Sequence, residues 1–218
     1  MSRVMKYRPN EAPVFVIDQS RCIGCEACVQ GCMECGTHRG QSLIHLERID
    51  RATTTQTAPM VCMHCEDPTC AQVCPADAIK QDEGGIVHSA LKPRCIGCSN
   101  CVIACPFGVP RFMAELDQMM KCDMCIDRTS EGLKPMCASV CPSEALWYGT
   151  REEFADNRRG ELIREFRFGR QDVRTLVYTV VDDLAPGPLD VLRGFERSWL
   201  EDPFDLEGGA HDAGLGFS

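Results

Sequence analysis

Cys22, Cys25, Cys28 and Cys32 follow one another at intervals of two, two and three residues, and related quartets recur further along the chain. They are Cys62, Cys65, Cys70 and Cys74, then Cys95, Cys98, Cys101 and Cys105, and last Cys122, Cys125, Cys137 and Cys141. Sixteen of the seventeen cysteines fall in these quartets. Four thiolates at such intervals are the ligand set of one [4Fe-4S] cube, so four quartets point to four cubes. The third quartet, Cys95-Ile-Gly-Cys-Ser-Asn-Cys-Val-Ile-Ala-Cys105-Pro106, fits C-x2-C-x2-C-x3-C-P at every position. A chain that devotes so many residues to such ligands reads as a conduit for electrons.

The spacing has a physical cause. Three thiolates on one tight loop reach three irons of a cube, with backbone N–H groups turned toward the sulfurs. The fourth cysteine starts a helical turn that points away, and in bacterial two-cluster ferredoxins it ligates the other cube of the pair. Pro75, Pro106 and Pro142 follow the fourth cysteines of quartets two, three and four, where a fixed φ and a missing N–H suit a change of direction. Met33 stands at that place in the first quartet.

Two other meanings of the cysteines compete with this one. A disulfide scaffold fits a short secreted chain, but the count of seventeen is odd and no secretory apolar region is visible. Structural zinc needs separated C-x2-C pairs, which only the fourth quartet resembles.

At 218 residues the chain has room for one or two domains, with 44% hydrophobic but only 6% aromatic residues. So small an aromatic core is expected where metal ligation supplies folding free energy, which predicts a largely unstructured apo-protein. The net charge of −9 argues against a nucleic-acid partner. No run of 18 apolar residues is present, so no transmembrane segment is expected. The first ten residues carry neither an apolar region nor twin arginines. The expected location is the cytoplasm, or export only in complex with a signal-bearing partner.

The elements that must position these ligands come from an internal duplication. Arg21-Cys-Ile-Gly-Cys-Glu-Ala-Cys28 and Arg94-Cys-Ile-Gly-Cys-Ser-Asn-Cys101 share six of eight residues, and Cys74-Pro-Ala-Asp-Ala-Ile79 echoes Cys141-Pro-Ser-Glu-Ala-Leu146. Val14–Ile17 reads as a strand leading into the first loop, and Ile86–Val87 as its counterpart before the third. Residues 75–94 offer room for one helix and one strand, enough to close quartets two and three into one module. Quartets one and four then close a second module around it.

On Cys62-Met-His-Cys-Glu-Asp-Pro-Thr-Cys-Ala-Gln-Val-Cys-Pro75, the third quartet, and Lys121-Cys-Asp-Met-Cys-Ile-Asp-Arg128 leading to Gly132-Leu-Lys-Pro-Met-Cys-Ala-Ser-Val-Cys141, residues 12–150 resemble a known family. It is that of the electron-transfer subunits of dimethyl sulfoxide reductase-type molybdopterin oxidoreductases. The resemblance implies four ligand sets: Cys22, Cys25, Cys28 with Cys141; Cys122, Cys125, Cys137 with Cys32; Cys62, Cys65, Cys70 with Cys105; and Cys95, Cys98, Cys101 with Cys74. It implies as partners a molybdopterin-type catalytic subunit and a membrane anchor or second redox subunit.

The expected fold is α+β, two interleaved ferredoxin-like two-cluster modules with a C-terminal extension. The outer module takes residues 1–60 and 118–150, the inner one 61–117, and the extension with its acidic tail 151–218. Cys35 reads either as a substitute ligand for Cys32 or as a buried inert thiol. His64 could tune a potential by hydrogen bonding, but reads first as a polar residue at the module surface. Val173–Val181 suits a strand, whereas Leu189, Leu192, Phe195 and Trp199 recur at helical spacing, a stripe for a partner or for the chain's own modules. Residues 201–218, acidic and glycine-rich, read as a solvated end.

No nucleophile and base constellation, GxGxxG or P-loop is recognisable, so the expected role is electron relay without substrate chemistry. A free polyferredoxin shuttle and a zinc-stapled interaction module are the competing functions.

Overall fold

A computed structural model describes residues 12–50, 55–181 and 189–190. The apolar run Val14–Ile17 forms strand β1, followed by helix α1 (Ala27–Met33) and a ribbon of β2 (His45–Asp50) and β3 (Thr55–Met60). Short helices α2 (Thr69–Gln72) and α3 (Asn100–Ile103) precede a second ribbon, β4 (Arg111–Met113) with β5 (Gln118–Met120). Then come α4 (Ile126–Thr129), α5 (Met136–Val140), β6 (Leu146–Gly149) and α6 (Arg151–Asn157). Strands β7 (Glu161–Phe168), β8 (Gln171–Val181) and β9 (Leu189–Asp190) complete an α+β chain.

The pairing of β1 with β6 does most to position the cysteines. They run antiparallel with Ile17 opposite Leu146, and Asp18 N–H extends the ladder by donating to Ala145 O at 2.7 Å. The loop that leaves β1 and the one that enters β6 therefore lie side by side, and Arg21 Nε closes them by donating to Ser143 O at 2.9 Å. Cys22 and Cys141, 119 positions apart in sequence, are neighbours for this reason.

Helix lengths follow the prolines. α5 stops at Val140, and Cys141 before Pro142 is extended (φ −73°, ψ 108°), as a pre-proline residue prefers. With Met33 in the equivalent place, α1 runs on through Cys32 to seven residues. α1 and α5 pack closely because Gly31 has no side chain: a Cβ there would stand 2.7 Å from Val140 Cγ2.

The C-terminal region is part of the main sheet, whose order is β6-β1-β8-β7-β9. β8 spans the predicted strand and pairs in parallel with β1, Val16 opposite Tyr178. Phe166 and Phe168 of β7 each meet Phe107 edge-on, at centroid distances of 5.2 and 5.1 Å. Phe166 is buried, and Phe166→Ala should weaken the hairpin's docking by about 3 kcal/mol, roughly a hundredfold. Hydrogen exchange of the β7 and β8 amides should quicken accordingly; unchanged exchange would show that the strand pairing alone holds the hairpin.

Two local expectations need correction. Ile86–Val87 is not a strand; Val87 makes one isolated bridge to Gln81, because its N–H goes to His64 Nδ1 and its carbonyl to Lys121 Nζ. Leu189 belongs to the short strand β9 beside β7, not to a helix. The rest of that stripe, Leu192, Phe195 and Trp199, and the acidic tail lie outside the described residues.

Candidate iron–sulfur centres

Each loop carries its cysteines on a backbone that turns left-handed at set places. Gly24 and Gly97 share φ +69°, and two residues on Glu26 and Ser99 have φ of 61° and 59°. The duplicated sequence thus folds as a duplicated loop. A Cβ at Gly97 would press on Phe112 Cε2 at 3.3 Å as well as strain the backbone. His64, Met124 and Cys125 also take positive φ, so a conformation that costs about 1 kcal/mol per residue recurs where thiols must converge.

The sixteen sulfurs gather in four groups. Cys22, Cys25, Cys28 and Cys141 line one cleft with Ile23, Gly24 and Leu146. Cys74, Cys95, Cys98 and Cys101 line another with Ile96, Gly97, Phe112 and Met119. Burial pushes the Cys65 thiol up to about 12, and Cys62, Cys105 and Cys70 add to it as near neighbours. Burial likewise holds Cys137 well above the ordinary thiol range, with Cys125 and Cys32 the next contributors; for Cys122 they are Cys137, Cys62 and Cys32. Cys32, Cys122, Cys125 and Cys137, all four buried, neighbour one another, with Cys28 close to Cys137 and Cys62 close to Cys122.

Helix geometry makes neighbours of these groups. Cys28 and Cys32 stand four residues apart on α1, about 6 Å along its axis, and serve different groups. Cys137 and Cys141, Cys70 and Cys74, and Cys101 and Cys105 repeat the sequence interval, each with its first cysteine on a short helix and its second just past the helix end. A different link is the proximity of Cys122 to Cys62. Cys25 of the first group and Cys98 of the group around Gly97 are exposed.

The surroundings fit an anionic group held by thiolates. Backbone N–H groups aim at sulfur, from Leu43 to Cys32 Sγ and Ala78 to Cys74 Sγ at 3.3 Å and from Met124 to Cys122 Sγ at 3.4 Å. Such bonds favour the ionised ligand. Buried thiols raised to about 11 or 12 are poor metal-free thiolates, and a bound metal reverses that preference by deprotonating its ligands.

His64 is fully buried and does not sit at the module surface. Its Nδ1 accepts from Val87 N–H at 3.0 Å, which places the proton on Nε2. That Nε2 is the one buried side-chain nitrogen or oxygen without a hydrogen-bond partner among the described residues. A cluster sulfur would give it an acceptor. His38 stands in no motif, yet it is buried between Cys32 O at 2.8 Å and Asp123 Oδ1 at 2.7 Å. Burial works to lower its pKa, but the Asp123 carboxylate and Cys32 overcome that and hold it at about 11.

Cys35 is buried beside Cys125 and His38. Its Sγ donates to Asp127 Oδ1 at 3.0 Å, and it lies within 4.8 Å of Cys125 Sγ. Lys121 gives no signal in the sequence, because a lysine next to a cysteine is not a motif. It is wholly buried.

The model of a 4Fe-4S dicluster domain matches residues 53–151. The thiosulfate reductase electron transfer subunit of Salmonella typhi is 41% identical over 148 residues, covering 64% of this chain and 77% of its own. A chain of the anaerobic dimethyl sulfoxide reductase of Escherichia coli (strain K12) is 36% identical over 163 residues, 68% of this protein and 78% of its own length. The iron-sulfur subunit of the nitrate-inducible formate dehydrogenase from the same organism is 35% identical over 177 residues, 71% of this protein, and the match spans 59% of that longer relative.

Proposed function

Because the chain belongs to the family of iron–sulfur electron-transfer subunits of the dimethyl sulfoxide reductase type, we propose that it holds four [4Fe-4S] clusters in one line and passes single electrons between a molybdopterin-type catalytic subunit and a second redox subunit or membrane anchor. The ligand sets are Cys22, Cys25, Cys28 and Cys141; Cys32, Cys122, Cys125 and Cys137; Cys62, Cys65, Cys70 and Cys105; and Cys74, Cys95, Cys98 and Cys101. Residues 1–60 and 118–150 form the outer of two interleaved ferredoxin-like modules and carry the first two sets, while 61–117 form the inner one and carry the others. When bound, a cube of this kind gains or loses one electron at a potential set by charge, hydrogen bonds to sulfur and solvent exposure.

One observation supports the reading: thiols far apart in sequence converge, Cys141 on the loop of Cys22, Cys25 and Cys28, and Cys74 on that of Cys95, Cys98 and Cys101. The chain's residues fix the order of passage. Cys28 and Cys32 on α1, with Cys137 on α5 and Cys141 just after it, couple the first two groups, and Cys70 with Cys74 and Cys101 with Cys105 couple the last two. Exposed Ile23 and Cys25 at one end and Ile96 and Cys98 at the other suit contact with redox partners. No helix among the described residues is long and apolar enough to cross a membrane, in keeping with a chain that meets the membrane through a partner. Assembly in the reducing cytoplasm, with any export as part of a complex, completes the proposal.

Anaerobic purification tests it. Iron and acid-labile sulfide should each approach about sixteen per chain, and reduction should give spin signals of several interacting clusters. A colourless protein holding zinc would end the reading, and a chain that never co-purifies with a catalytic subunit yet serves several enzymes would make it a free shuttle.

A further inference from the structure

Lys121 is wholly buried at the seam between the two middle groups of cysteines. Its backbone leads directly into Cys122 of one group, and Val87, whose carbonyl accepts from Nζ, donates its N–H to His64 in the loop between Cys62 and Cys65 of the other. The Nζ donates to Val87 O and, at 3.1 Å, to Cys122 O. Among the described residues no carboxylate lies within ion-pair distance of it. The nearest acidic residue in sequence, Asp123, is already engaged by His38 at 2.7 Å. A lone buried ammonium is costly unless negative charge faces it, and here the thiolates on both sides are what can supply it.

Lys121 has a redox consequence. Adding an electron to a cluster adds negative charge, which burial opposes and a nearby cation favours. The four ligands of the Cys32, Cys122, Cys125 and Cys137 set are all buried, whereas each terminal set includes one exposed cysteine. By burial alone the interior of the line would be harder to reduce than its ends.

Resting on the four-cluster reading above, we propose that Lys121 is a positioning residue of electrostatic kind: one cation shared by the two middle clusters that raises both their potentials and removes a barrier from the centre of the line. Its target is the seam, so its effect is confined to two clusters of four.

Potentiometric EPR titration of the full chain, with iron and sulfide counted on the same sample, tests this. In Lys121→Gln, which keeps donors for the two carbonyls and loses the charge, and in Lys121→Met, two midpoint potentials should fall while two stay in place. Lys121→Arg should keep the wild-type pattern. Four unmoved midpoints, or four that shift together, would overturn the proposal. Should the neutral variants fail to retain four clusters, Lys121→Arg decides: full iron content supports a need for charge at the seam, and its loss means that side-chain shape is what matters and overturns it. A wild-type chain short of iron would instead sink the four-cluster reading on which the proposal rests.

Discussion

Stripped of its iron by a chelator under mild oxidation, the protein should lose most of its folded structure together with its colour. The helices α1 to α6 are four to seven residues long, well below the roughly 12–15 residues at which an isolated helix becomes even marginal in water. Cys28, Cys32, Cys122 and Cys137 are themselves members of the main buried cluster, packed with Phe15, Leu146 and Val177, so metal ligation and the apolar core are one structure. Binding of even a single structural zinc contributes on the order of 10 kcal/mol, comparable to the whole stability of a typical domain. The four clusters proposed here would deepen that dependence. Far-UV circular dichroism should fall toward that of an unfolded chain, with residual strand signal from the β7 and β8 hairpin, whose pairing needs no cysteine. A native spectrum after removal of about nine-tenths of the iron would show that the polypeptide folds unaided and that the clusters are passengers.

The second large effect separates Cys32 from Cys35. Cys32→Ala should remove one cluster, about four of sixteen irons, and break electron passage through the chain, because in the proposed line its group stands between the first and the third. Cys35→Ala should keep all four clusters and near-native throughput. Geometry makes the difference: Cys32 Sγ receives the Leu43 N–H at 3.3 Å and counts among the close neighbours of Cys122 and Cys137. The Cys35 thiol is instead spent on Asp127, and Gly36 N–H holds the other carboxylate oxygen at 3.1 Å. Iron analysis and the cluster spectra of both variants decide it. Four clusters in Cys32→Ala, lost only when Cys35 is replaced as well, would make Cys35 the fourth ligand.

Local features were legible where chemistry is local. Val14–Ile17 and Val173–Val181 declare themselves as strands by composition, and both are strands. His64 misleads, because nothing in Met63-His64-Cys65 indicates that Val87, 23 residues on, will bury it and take its Nδ1. Lys121 is silent for the same reason: its role comes from what surrounds it, and a single sequence does not show surroundings. Ile86–Val87 fails as a strand because both Val87 backbone groups are claimed from distant parts of the chain.

The sequence alone determined the donor inventory: sixteen thiols, their intervals, and the prolines that turn the chain after three quartets, because loop geometry at a cube depends on residues a few positions apart. Tertiary structure decided which thiols stand together. Ile17 opposite Leu146 brings Cys141 to the first loop, Gly31 lets α5 approach α1, and the β5 exit sets Cys122 near Cys62. Strand register and helix contact are settled by burying one face of each element against a distant one, and those energies exist only once the whole chain has come together.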